Sequence, residues 1–116
     1  MNLENLSNQD LLAGIKSLRG TERETTLSIL KYLSEIEDRR LVRELGYSSL
    51  FDYCVRALGY SEASTYRRVS AARAIKLNPE LGELFLQGRV NLCTISAAST
   101  ALRENRAQVS EIVGKS

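Results

Sequence analysis

Few side chains in this chain could do covalent or metal chemistry. The 116 residues contain no histidine and two cysteines. Without imidazole there is no Ser-His-Asp triad, no histidine-activated thiol and no histidine metal site. Cys54 and Cys93 are far apart and lack a CxxC partner, so they read as free thiols of a reducing cytoplasm. The carboxylate pairs Glu35/Asp38 and Glu80/Glu83 have helical spacing, as solvated helix faces do. Gly114-Lys115-Ser116 matches the end of a phosphate-binding loop, but Val109 stands where that loop needs glycine and no strand precedes it. The expectation is therefore a non-enzyme with no catalytic residue, metal ligand, cofactor or small-molecule substrate.

The basic residues are more informative. Net charge is +2, and twelve of the sixteen bases are arginine, the side chain suited to bidentate phosphate contact. Between Ala63 and Pro79 stand Arg67, Arg68, Arg73 and Lys76, with no acid. Five tyrosines are too scattered to form a base-stacking platform and read as core or boundary residues.

Those bases need an element to carry them. Leu50 to Leu58 reads as a short helix, Gly59 as the residue that permits a sharp reversal, and Ser61 as the cap of a second helix running to about Leu77. Two helices across such a turn have the geometry of a helix-turn-helix, here spanning about 50–77. In DNA-binding examples the second helix enters the major groove by its N-terminal turns. With Thr65, Val69 and Ala72 inward, Ala63, Ser64, Arg67 and Ser70–Ala71 face outward and Arg68 sits at the flank. A second register, with Ala63, Ser70, Ala74 and Leu77 inward, exchanges the roles of Arg67 and Arg68; the first buries the β-branched residues and is preferred. The expected DNA-binding set is Ser61, Ser64, Arg67, Arg68, Arg73 and Lys76.

Helix-period apolar spacing continues through most of the chain, and strand signals are nearly absent. Ser7 caps a first helix, with Leu11, Leu12, Ile15 and Leu18 on one face, and Gly20 ends it. Thr21-Glu22-Arg23-Glu24 is a capping box for a second helix carrying Leu27, Leu30, Leu33 and Ile36. A short helix from Arg39 to Leu45 follows. Asn78 caps a helix opened by Pro79, Asn91 caps a small-residue helix, Leu92 to Leu102, and Arg103 to Val113 forms the last. The predicted fold is one all-α domain over 1–116, a compact bundle of seven or eight helices with C-terminal bracing helices at about 79–113. The composition, 43% hydrophobic and 26% charged, fits one folded domain. No apolar run is long enough to span a bilayer, and MNLENLSNQD lacks the regions of a secretory signal, so a cytoplasmic, non-membrane protein is expected.

Leu45-Gly46-Tyr47-Ser48-Ser49-Leu50-Phe51-Asp52-Tyr53-Cys54, then Leu58-Gly59-Tyr60-Ser61-Glu62, Tyr66-Arg67-Arg68-Val69 and Ala71-Ala72-Arg73, resembles the helical N-terminal region of bacterial HNH-endonuclease-like proteins. Gly88-Arg89-Val90-Asn91-Leu92 and Glu104-Asn105 fit the same pattern, which covers the chain from about Leu6 to Ser116. In that family the nuclease lies in a later segment built on histidines and metal, so no catalytic residue carries over. The resemblance implies an excised N-terminal domain or a short relative without the nuclease. The order of basic helix, Asn-Pro, Leu-rich helix and small-residue helix also resembles, at fold level, the helix-turn-helix domain of partition proteins. The leading expectation is a non-catalytic domain binding double-stranded DNA. The alternative is a protein-interaction or dimerisation domain using Leu27, Ile29, Leu30, Tyr32, Leu33 and Ile36. A homodimer suits both, because helix-turn-helix modules often bind as symmetric pairs.

Overall fold

The computed structural model describes residues 2–97, and every regular element among them is helical. A short 3-10 turn, Leu3–Asn5, leads into α1 (Asn8–Asp38); α2 (Leu41–Glu44), α3 (Leu50–Arg56), α4 (Glu62–Leu77) and α5 (Glu80–Leu86) follow. A final helical stretch covers 92–97. The expected helix Arg103–Val113, and with it the end of the bracing segment, lies outside the described residues.

The start signals act locally, and most of them hold. The Ser7, Ser49 and Ser61 hydroxyls accept from the backbone N–H groups of Asp10, Asp52 and Ser64 at 3.1, 3.0 and 3.1 Å. Asn91 accepts from the Thr94 N–H at 2.8 Å. Each satisfies one of the amides that a helix start leaves without a partner. Asn78 departs from expectation: α5 begins at Glu80, Pro79 occupies the cap position, and Asn78 contributes its carbonyl to the Leu81 N–H.

The largest correction concerns α1. The two helices expected around Gly20 are one helix of 31 residues. Gly20 is not among the residues of positive φ, and the Thr21 hydroxyl donates to the Ser17 carbonyl within the helix instead of capping a new one. Glycine lowers helix propensity by about 1 kcal/mol without forbidding the conformation. Gly59, by contrast, has φ +77° and makes the reversal between α3 and α4, where the Tyr60 N–H reaches the Cys54 carbonyl at 3.1 Å. That reversal occupies residues 57–61, longer than expected, because α3 stops at Arg56.

The core lies on one side of the second half of α1. Leu27 and Leu30 pack with Ala71, Ala72 and Ala74 of α4, Phe85 of α5 and Ile95. One turn further, Leu33 packs with Val42, Leu50, Cys54 and Val69. Alanines on α4 let the helix backbones approach closely, so α1 and α4 form the spine that the shorter helices cover. Among the described residues nothing packs over the first half of α1, and every residue from 2 to 19 is exposed. The expected compact bundle is therefore a body with a projecting helix.

Candidate nucleic-acid interface

α4 presents a broad face to the core. Thr65, Val69 and Ala72 are buried, which is the preferred register, but Ala71 and Ala74 are buried as well. Ala71 was expected outside; it packs toward α5 and residue 95. The alternative register fails at both ends, because Ala63 and Leu77 are exposed. What remains open is a narrower face carrying Glu62, Ala63, Tyr66, Arg73 and Leu77, with Ser70 half-buried beside them.

The six expected contact residues do not share this face. At 100° per residue, Arg67, Arg68, Arg73 and Lys76 fan out around the helix. Arg68 is half-buried, its guanidinium 4.7 Å above the Tyr60 ring and donating to the Ser64 carbonyl at 3.2 Å. Arg73 grips Glu37 with two nitrogens, Nη2 at 2.7 Å and Nε at 3.2 Å from Oε1. Lys76 Nζ pairs with Asp38. Arg67 is half-buried and makes no ion pair with any described residue. The Ser61 hydroxyl is occupied as the cap, and Ser64 is half-buried.

Arg73 and Lys76 thus have an internal task. The last turns of α1 hold Glu35, Glu37 and Asp38 and no base. Carboxylates there oppose the negative end of the helix dipole. Arg39 pairs with Glu35 at 3.0 Å, and α4 supplies the other two partners from across the fold.

A second group of bases, which no sequence spacing singles out, lies beside α4. A cleft of about 380 Å³ is bounded by Glu37, Arg40, Arg43 and Arg73, with Val42, Ser48, Ser49 and Leu50 completing its wall. Arg40 and Arg43 are exposed and make no ion pair with any described residue. Arg40 also has φ +56°, a left-handed conformation costing a residue with a Cβ about 1–2 kcal/mol. Three guanidiniums therefore face one carboxylate. The available signal was Arg40 and Arg43 at spacing three, but the run Glu35 to Arg40 reads simply as a charged helix end. Below the cleft, Asp52 accepts from the Ser48 N–H at 3.1 Å and pairs with Arg56 at 3.3 Å. The Ser48 hydrogen bond, aided by Arg56, holds its carboxyl below the usual range.

Cys54 is fully buried, and burial pushes its thiol pKa up; Cys93 is exposed. Among the described residues no cluster of three or more His, Cys, Asp or Glu could hold a metal ion, and no helix is long and apolar enough to cross a membrane. Fold and site together define an all-helical module with an arginine-lined cleft between α1, α2, α3 and α4. In comparisons with known proteins, no family model, curated protein or solved structure matches the chain.

Proposed function

We propose that this chain is a non-catalytic DNA-binding helical domain in which α3 and α4 act as a helix-turn-helix. The observation that carries the reading is the arginine cleft: Arg40 and Arg43, which make no ion pair with any described residue, line it together with Arg73 of α4. On this reading Ala63, Tyr66 and Ser70 face the groove, while Arg40, Arg43 and Arg73 hold phosphates. Small side chains on a groove helix allow close approach, and phosphate contacts fix its register. The exposed Arg73–Glu37 pair is the kind that a phosphate can displace, since such pairs contribute only about 0–1 kcal/mol. Arg67 extends the surface at its flank; Arg68 and Lys76 serve the fold. The resemblance to HNH-endonuclease-like proteins agrees with this role, as the N-terminal module of such a protein or a short relative.

A salt-dependent gel shift with random duplex DNA tests the proposal. Arg40→Ala/Arg43→Ala should remain folded, weaken binding, and lower the slope of log affinity against log salt by about 2. Unchanged binding in this variant refutes the surface. A second reading, protein association without nucleic acid, is favoured by the exposed Leu12, Ile15 and Leu18 on α1. It predicts self-association with no duplex shift at any salt concentration.

A further inference from the structure

Because α1 is a single helix, it carries a seam that two separate helices would not. Leu11, Ile15, Leu18, Glu22, Thr25, Ile29, Tyr32 and Ile36 recur at alternating spacings of four and three, the pattern of a coiled-coil contact. This seam is distinct from the Leu27, Leu30 and Leu33 stripe that enters the core. Its first half is bare: Ile15 and Leu18 are 61% and 60% exposed, as is neighbouring Leu12 at 64%. Its second half lines an apolar groove of about 470 Å³, where Ile29, Tyr32 and Ile36 meet Tyr53, Leu58 and Tyr60. Tyr32 is 74% exposed there.

We propose that the occupant of both halves is a second copy of this chain, with the two α1 helices running antiparallel. The seam is self-complementary about its centre, between Arg23 and Glu24, half a residue from Arg23, the midpoint of Asn8–Asp38. Antiparallel pairing sets Leu11 against Ile36 of the second copy, Ile15 against Tyr32, and Leu18 against Ile29. The polar positions meet each other, Glu22 opposite Thr25. Each bare half thereby fills the groove of the other copy, and a twofold axis makes the contact isologous and closed. A parallel pair would juxtapose Glu22 with Glu22 and set bare half against bare half, so that neither would meet the groove of the other copy.

The energetics favour a covered state. A helix of about 15 residues is marginal alone in water, and Gly14 and Gly20 each weaken it further. Specific association needs roughly 1,000 Å² of buried surface, and the seam offers it from both copies, Leu11 to Ile36 on each, together with the groove beside it. This surface is separate from the arginine cleft, so the proposal does not rest on DNA binding.

Sedimentation equilibrium on the full chain should give a dimer. Ile15→Asp, at an exposed position, should leave circular dichroism of the body intact and weaken self-association at least about 100-fold. Register is read by crosslinking in a Cys93→Ser background. Mixed Ile15→Cys and Tyr32→Cys chains should form a disulfide between copies. Ile15→Cys alone should not, because its two copies lie about 25 Å apart along the pair. A monomeric wild type, a dimer indifferent to Ile15→Asp, or an efficient Ile15→Cys self-crosslink overturns the proposal. A gel shift with monomeric Ile15→Asp reports on the arginine cleft separately.

Discussion

Replacing Glu37 by Gln should make this protein bind duplex DNA more tightly. Among the described residues Glu37 is the one carboxylate at the rim of the arginine cleft, and it accepts from Arg73 Nε and Nη2. Arg73 and Glu37 side chains are 46% and 37% exposed, so the cost to stability should stay within about 1 kcal/mol. The gain in binding is larger. With Glu37 present the cleft offers two uncompensated guanidiniums; with Gln it offers three. Each additional phosphate contact steepens the slope of log affinity against log salt by about 0.9, which is roughly eightfold in affinity at 0.1 M relative to 1 M. Gel-shift or anisotropy titrations of both proteins from 0.05 to 0.5 M salt, on the order of a Debye-length change that matters here, should give lines that diverge as salt falls. Parallel lines, or weaker binding by Glu37→Gln, would mean that Arg73 does not face phosphate and that the cleft is not the contact surface.

Two further outcomes concern the body of the fold. Thr65 is fully buried and its hydroxyl has no hydrogen-bond partner among the described residues, so Thr65→Val should raise stability by about 1 kcal/mol in urea unfolding; a loss would show that the hydroxyl is satisfied after all. Thiol titration of the native chain should label Cys93 quickly and Cys54 only after denaturant is added, since Cys54 is fully buried and its thiolate is disfavoured there. Rapid labelling of both would mean that the contact between α3 and α4 opens readily.

The sites that were legible and those that were not differ in range. Ser7, Ser49, Ser61 and Asn91 were readable as caps because a cap bonds to an amide three residues away. Thr65, Val69 and Ala72 were readable as core because burial follows the helical period. Gly20 misled, because a glycine ends a helix only where the chain needs a positive φ, and nothing local at Gly20 demands one. The arginine cleft is not legible in the sequence because its wall draws on α1, α2, α3 and α4, and Arg73 joins Arg40 and Arg43 only through the packing of α4.

The amino-acid sequence alone determined the helical class, most of the helix starts, the Thr65, Val69 and Ala72 stripe of α4 and the lack of imidazole, since composition and contacts within a turn or two decide all of these; that Ala71 and Ala74 are buried as well follows from the packing of α5 and residue 95. Which bases are free was decided by tertiary structure. Arg73 and Lys76 meet Glu37 and Asp38 across 36 and 38 residues of chain. A charge is available or spent according to the partner that folding brings beside it, and no local pattern encodes that partner.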